Sequence, residues 1–190
     1  FGAQFDSLAD LVAFGLAPAF IITFALKELA PEWYLLNKIV VWVSMSVYVL
    51  CAAMRLAKYN AMDIDGNPDY FIGMPSTFAG ALNVVFVVLA IKYDLLIAGN
   101  EYLIVFPLLL LGTGVLMVSP LYLPKLKSRK SKVVNAVQIS LIIFTYIAGF
   151  SMKFPEFLFA EILVYAVIGF AYGIIKKGTI IEQGTTLKEA

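Results

Sequence analysis

The sequence predicts an all-α fold, a polytopic bundle of transmembrane helices. Of its 190 residues, 62% are hydrophobic and 14% are charged, and the mean hydropathy is +0.90. A soluble domain is about half apolar and about a quarter charged. The apolar residues form continuous runs that are too long for barrel strands and do not alternate with polar residues. We therefore expect an integral, multi-pass membrane protein.

Six uncharged runs predict six helices, because a helix needs about 20 mostly apolar residues to cross a bilayer. The predicted helices cover residues 6–27, 34–57, 76–95, 101–121, 132–152 and 155–176. They are expected to form one transmembrane domain over residues 1–177. A polar cytoplasmic tail is expected at 178–190.

The basic residues between the helices predict the orientation in the membrane. If the chain begins on the cytoplasmic side, nine Lys and Arg residues follow the second, fourth and sixth helices, and four lie on the opposite side. The nine are Arg55, Lys58, Lys125, Lys127, Arg129, Lys130, Lys132, Lys176 and Lys177; the four are Lys27, Lys38, Lys92 and Lys153. An excess of basic residues marks cytoplasmic loops. The first ten residues are therefore expected at the cytoplasmic face.

Two residue types limit the chemistry that is possible. The chain has no histidine and one cysteine, Cys51. An internal disulfide and a multi-cysteine metal site are thereby excluded. A base or metal ligand must come from carboxylates, lysines or hydroxyl groups. Nothing in the pattern indicates a nucleic-acid partner.

The opening residues FGAQFDSLAD place Gly2, Asp6 and Asp10 four residues apart, on one face of a helix. Asp6 alone could be a helix cap. Asp10 lies a turn deeper, where an unpaired carboxylate is costly. Two carboxylates on adjacent turns repel unless a cation lies between them, and Mg²⁺ binds both carboxylates and substrate phosphates. The pattern thus favours a metal and phosphate site at the membrane surface.

Three stretches resemble the CDP-alcohol phosphotransferase family, and its phosphatidylserine synthase branch in particular. They are FGAQFDSLADLVAFGLAPA at the start, MRLAKYN at 54–60 and YFIGMPSTFAGAL at 70–82. The first contains Gly-x-x-x-Asp-x-x-x-Asp, the second half of the family signature. The first half, Asp-x-x-Asp-Gly-x-x-Ala-Arg, does not occur in these residues. We expect it upstream of Phe1 with about two more spans, giving about eight in the full-length protein.

The resemblance implies an enzyme that transfers the phosphatidyl group of CDP-diacylglycerol to the hydroxyl of L-serine and releases CMP. It implies that Asp6 and Asp10 bind a divalent metal, Mg²⁺ or Mn²⁺, and that Asp10 is also the general base. Gly2 would let the nucleotide approach. A homodimer in contact with membrane lipids, with its active site at the cytoplasmic face of the cell membrane, is also implied.

Further candidates bind substrate. Arg55 could grip the serine carboxylate or a phosphate oxygen, because a guanidinium binds such groups in a bidentate manner. Lys58 would lie nearby, although it could equally be a snorkelling anchor. Gly73 and Pro75 predict a break before the third helix, where Ser76 and Thr77 would form part of the acceptor-side wall.

Alternatives remain at this point. Gly80 and Ala81 could mark close helix packing. The same fold could use another alcohol, such as glycerol 3-phosphate, inositol phosphate or choline. An ion-coupled transporter would also place acids in a membrane, but it predicts more polar residues at mid-span and a second broken helix.

Overall fold

The computed structural model describes residues 2–61, 70–96, 100–125, 132–151 and 154–175. These residues are almost entirely helical, which confirms the predicted all-α fold. The predicted tail at 178–190 lies outside them. So do six of the basic residues that predict the orientation in the membrane: Lys127, Arg129, Lys130, Lys153, Lys176 and Lys177.

Each predicted helix has a counterpart in the structure. The first consists of α1 (Gly2–Asp10), a π-helical turn (Leu11–Leu16) and α2 (Ala17–Leu29). The others are α3 (Pro31–Ala61), α4 (Ser76–Lys92), α5 (Val105–Val118) after a short 3₁₀ helix (Asn100–Ile104), α6 (Lys132–Ser151) and α7 (Pro155–Ile175).

Three described helical segments are long and apolar enough to cross a membrane. They are Gln4–Leu29, Pro31–Asn60 and Pro155–Ile175. Shorter apolar helices cover Ser76–Lys92, Tyr102–Val118 and Ile139–Gly149. The chain is thus a membrane protein, and within the described residues three of the six predicted spans meet both the length and the apolarity that crossing a membrane requires.

Two short strands were not predicted, because the sequence pattern indicated no strands at all. Strand β1 (Tyr70–Ile72) pairs with β2 (Tyr122–Pro124). Each strand has three residues, which is too short to show the alternation by which a strand is recognised in a sequence. The strands lie in the non-helical residues before α4 and after α5.

The chain divides into two compact units. The first comprises Phe1–Ile64 and Ile72–Leu121, and the second comprises Asp65–Phe71 and Tyr122–Ala190. In the first unit, α3 packs against α2 and α5, and α4 packs against α2. Its fully buried side chains include Ile22, Leu26, Val41, Tyr48, Phe106 and Leu110. This unit carries all of the candidate site residues.

The π-helical turn interrupts the first membrane helix directly after Asp10. The Ala17 N–H donates to the carbonyl of Val12, five residues earlier, which is the π-helical spacing. Pro18 has no N–H, so the carbonyl four residues before it, that of Phe14, lacks an α-helical donor. The hydroxyl of Tyr48 on α3 donates to this Phe14 carbonyl oxygen over 2.7 Å. A neighbouring helix thus satisfies the backbone carbonyl that Pro18 leaves without its α-helical donor.

The start of α4 is the second irregularity of this unit, and here the predicted break is confirmed. Gly73 has a φ of +74°, a conformation that suits glycine. Its N–H donates to the Leu121 carbonyl over 2.7 Å, and the Met74 N–H donates to the Leu116 carbonyl over 3.0 Å. Pro75 follows, and α4 begins at Ser76.

In the second unit, β2 packs against α7. Gly169 lies against Leu123, and Gly173 lies so close to Tyr122 that a Cβ would overlap its carbonyl. The Tyr165 hydroxyl donates to the Pro124 carbonyl over 2.6 Å. Between α6 and α7, the Thr145 hydroxyl donates to Glu161 Oε2 over 2.6 Å. Polar groups within these apolar helices are therefore paired with each other.

Candidate functional site

Gly2, Asp6 and Asp10, which we call the acidic stripe, lie on α1, as their four-residue spacing predicts. Asp6 is exposed and Asp10 is half-buried. Because α1 already begins at Gly2, Asp6 lies inside the helix, so the alternative of an Asp6 helix cap is wrong. Gly2 is exposed, and a Cβ there would meet no atom within 4 Å. That Gly2 admits the nucleotide stays a prediction.

Arg55 is the basic residue that we expect to bind substrate beside this stripe. It lies near the C-terminal end of α3 and is half-buried. Its Nη1 donates to the Ser76 hydroxyl over 3.2 Å, while its Nε is buried and has no hydrogen-bond partner within the described residues. Asp10 and Tyr59 interact electrostatically with the guanidinium. The Arg55–Ser76 hydrogen bond thus joins α3 to α4, and Asp10 on α1 lies within electrostatic range of the same guanidinium.

A polar contact fixes α1 against the same end of α3. The Asn60 Nδ2 donates to the Ser7 hydroxyl over 2.8 Å. Ser7 lies three residues before Asp10 and therefore shares its side of α1. This contact shows that the side of α1 bearing Ser7 faces α3.

Lys58 and Thr77 lie at the edge of this neighbourhood. Both side chains are exposed. Lys58 follows Arg55 by three residues on α3, and Thr77 follows Ser76 on α4. Within the described residues, no hydrogen bond joins either side chain to Asp10 or Arg55. The structure thus unites three of the seven predicted site residues and leaves these two beside them.

The start of α4 adds backbone donors near Arg55. No side chain caps the helix, and Pro75 is at the cap position. The first intrahelical bond recorded there runs from the Ala79 N–H to the Pro75 carbonyl. The amides at the beginning of a helix have no intrahelical acceptor and attract anions. A guanidinium, a serine hydroxyl and a helix N-terminus together suit a carboxylate or a phosphate.

The described residues contain no complete set of metal ligands. No group of three or more His, Cys, Asp or Glu side chains occurs among them. Asp6 and Asp10 offer two carboxylates one helical turn apart, which is the ligand type that Mg²⁺ and Mn²⁺ accept. These residues fit such an ion by their chemistry, but further oxygen ligands are needed to complete its coordination.

Sequence reasoning missed Tyr48. Its ring is fully buried and its hydroxyl binds the backbone of the π-helical turn. The available signal was Pro18, which leaves the Phe14 carbonyl without a donor, together with a tyrosine in an otherwise apolar helix. The packing alternative for Gly80 is confirmed, because a Cβ there would lie 3.2 Å from the Phe14 Cα and carbonyl oxygen.

Comparison with known proteins gives consistent names. A CDP-diacylglycerol–serine O-phosphatidyltransferase of Methanocaldococcus jannaschii is 32% identical over 176 residues, which are 93% of this chain and 70% of that protein. Proteins of the same name from Helicobacter pylori and Bacillus subtilis are 39% and 32% identical over 130 and 135 residues. These alignments cover 68% and 69% of this chain, and 51% and 63% of the two relatives.

The chain spans about half the length of the Helicobacter pylori relative. No protein-family model matches it.

Proposed function

This chain belongs to the CDP-diacylglycerol–serine O-phosphatidyltransferase family, and on that basis we propose that it transfers a phosphatidyl group from CDP-diacylglycerol to L-serine. The products are phosphatidylserine and CMP. One observation carries the proposal: Asp10 lies within electrostatic range of Arg55, which is hydrogen-bonded to Ser76, in a chain related to these enzymes over 93% of its length. The membrane helices suit a lipid substrate.

In the proposed reaction, Asp10 is the general base. The serine hydroxyl oxygen attacks the β-phosphorus of CDP-diacylglycerol and gives its proton to the Asp10 carboxylate. The new O–P bond forms as the bond from that phosphorus to the bridging oxygen breaks, and CMP leaves with the bond electrons. A positioned base of this kind contributes about 10²–10⁴-fold to a rate. No histidine is required, and the chain contains none.

Asp6 and Asp10 are proposed to hold a divalent ion, Mg²⁺ or Mn²⁺. When bound, such an ion offsets the charge of the pyrophosphate and improves CMP as a leaving group. The exposed Asp6 carboxylate and the half-buried Asp10 carboxylate supply two oxygen ligands. Pyrophosphate oxygens, water and residues beyond the described part of the chain would supply the others. Gly2 leaves open space in which the nucleotide can approach.

Arg55 is proposed to bind the serine carboxylate. One of its nitrogens already donates to Ser76, and its buried Nε is available as a second donor. A buried donor without a partner is costly, so an acceptor that fills this place binds with a gain in free energy. The open amides at the start of α4 and the Thr77 hydroxyl would add donors, and Lys58 would contribute positive charge at the rim.

The proposed setting is the cytoplasmic face of the cell membrane. The Lys and Arg distribution supports this orientation, because basic residues accumulate in cytoplasmic segments. We also propose a homodimer, on the resemblance to the CDP-alcohol phosphotransferases. The mass of the detergent-solubilised protein, corrected for bound detergent, would test this point.

An acceptor panel tests the function. The purified full-length protein is incubated with CDP-diacylglycerol, Mg²⁺ or Mn²⁺, and either L-serine, glycerol 3-phosphate, inositol phosphate or choline, and CMP release is measured. We expect release with serine and at most background release with the others. Release with glycerol 3-phosphate but not with serine would overturn the serine assignment while keeping the reaction class.

A further inference from the structure

The π-helical turn determines the direction in which the acidic stripe of α1 faces relative to α2. An α-helix turns by roughly 100° per residue, and a π-type turn includes one more residue between donor and acceptor. Relative to an uninterrupted α-helix that continues α2, the stripe on α1 is therefore rotated by about one residue, or roughly 100°. This rotation is large enough to move a side chain from one neighbouring helix to another.

Contacts from two other helices hold the turn. The Tyr48 hydroxyl on α3 donates to the Phe14 carbonyl over 2.7 Å. On α4, Gly80 permits the backbone of Phe14 to approach so closely that a Cβ would lie 3.2 Å from its Cα. Within the turn, Gly15 faces Ala52 of α3, whose Cβ would lie 3.3 Å from a Cβ at that glycine. The turn is thus a packed element with a partly buried polar contact.

The rotated stripe meets α3 through polar groups. In the observed rotation, Ser7 accepts the hydrogen bond of Asn60. Asp10 lies one turn later on the same side of α1, within electrostatic range of Arg55. If the turn became α-helical while α2 stayed in place, each position on α1 would be taken by the next residue. Leu8 would then face Asn60, and Leu11 would take the place of Asp10.

We propose that the π-helical turn, held by Tyr48, directs Asp10 toward Arg55, and that Tyr48 is therefore a positioning residue for the reaction. Tyr48 acts through the Phe14 carbonyl and touches no substrate. The catalytic half of this inference rests on the proposed function, whereas the rotation of α1 can be tested without any activity.

Crosslinking tests the rotation. In the full-length protein, with Cys51→Ala and any other reactive cysteine removed, Ser7→Cys or Leu8→Cys is combined with Asn60→Cys. A short bifunctional thiol reagent then reports which position faces α3. With Tyr48 present, we expect efficient crosslinking from position 7 and little from position 8.

Two independent changes should shift this pattern. Tyr48→Phe removes the donor to the Phe14 carbonyl and keeps the ring, and Pro18→Ala restores an N–H that can bond to the same carbonyl within the helix. Losing a hydrogen bond to a buried group shifts an equilibrium by roughly fivefold or more. We expect the yield from position 7 to fall several-fold in each variant and that from position 8 to rise. Tyr34→Phe, which removes a hydroxyl from the same helix, should leave the pattern unchanged.

Kinetics test the catalytic half. Tyr48→Phe should lower kcat roughly tenfold and change the KM for serine and CDP-diacylglycerol by less than about twofold, while Tyr34→Phe changes neither. If both variants crosslink like the parent, the proposed rotation is overturned. If crosslinking shifts but kcat stays, the positioning role is overturned. If the parent releases no CMP with serine, the proposed function fails, and the crosslinking still decides whether Tyr48 sets the rotation.

Discussion

Two irregular segments among the described residues of the first unit, the π-helical turn and the residues before α4, are held in different ways. In the π-helical turn at Leu11–Leu16, the Phe14 carbonyl lacks its α-helical donor, and the side chain of Tyr48 donates a hydrogen bond to it instead. The residues Gly73 and Met74 before α4 lie outside a helix, and main-chain carbonyls of Leu116 and Leu121 accept their N–H groups. Irregular backbone in a membrane protein requires such protein partners.

The difference suggests different roles. The start of α4 depends on the backbone and on a positive φ at Gly73, so it is a rigid feature that places Ser76 beside Arg55. The π-helical turn depends on one hydroxyl and on close packing at Gly80, so side-chain changes can alter it. We expect changes at the α4 start to reduce stability first and changes around the π-helical turn to reduce turnover first.

The largest effect is expected at Asp10, directly before the π-helical turn. Asp10→Asn removes the carboxylate that accepts the serine proton, and we expect kcat to fall by about 100-fold or more. Asp94→Asn is the matched control, because Asp94 is exposed in the turn after α4 and its positive φ of 52° is well tolerated by asparagine. Equal activity of the Asp10 and Asp94 variants would remove Asp10 from the mechanism.

The next effect is on stability. Gly73→Ala forces a side chain into a left-handed conformation, which costs about 1–2 kcal/mol, and its Cβ would overlap the Met117 carbonyl oxygen. We expect the apparent Tm in detergent to fall by roughly 5 °C or more. Gly112→Ala on α5 meets no atom within 4 Å and should leave the Tm unchanged or slightly higher. A Gly73 variant as stable as the Gly112 variant would contradict a rigid α4 start.

A smaller effect is expected at Arg55. Arg55→Lys removes the bidentate geometry while keeping the charge, and the KM for serine should rise roughly tenfold with a lesser change in kcat. Ser76→Ala should raise this KM by about two- to threefold, and the double variant should show less than the product of both effects, because the two side chains are in contact. Lys38→Arg, at the other end of α3, is the control. An unchanged serine KM and kcat in Arg55→Lys would exclude Arg55 from serine binding.

The smallest effect is expected at Gly80. A Cβ there would lie 3.2 Å from the Phe14 backbone, so the π-helical turn must move by a few tenths of an ångström, while alanine gains helix propensity. We expect kcat to fall about threefold, since this displacement is only part of the rotation, with the apparent Tm within roughly 2 °C of the parent value. A large loss of Tm with unchanged kcat would reverse the contrast between the two interruptions.

The helices and the break before α4 could both be predicted from the sequence. Continuous apolar runs locate membrane helices, and Gly73 with Pro75 marks the break through well-known backbone preferences. The four-residue spacing correctly placed Asp6 and Asp10 on one face of α1. These features follow from local sequence, which is why they could be predicted.

The π-helical turn could not be predicted, because it adds no polar residue and changes the register by one position within an apolar run. The neighbourhood of Asp10, Arg55 and Ser76 depends on that register and on packing among three helices. In the sequence, Tyr48 likewise cannot be told from a lipid-facing aromatic residue, because its burial depends on the packing of α2 against α3. Such features depend on tertiary contacts that no local pattern encodes.

The stoichiometry of the reaction tests most directly whether the protein transfers a phosphatidyl group to L-serine. The purified full-length protein is given CDP-diacylglycerol, labelled L-serine and Mn²⁺ or Mg²⁺, and both labelled lipid and CMP are quantified, with a chelator-treated sample in parallel. We expect equimolar phosphatidylserine and CMP, no product after chelation, and recovery when the ion is restored. CMP released without incorporation of serine into lipid would contradict it.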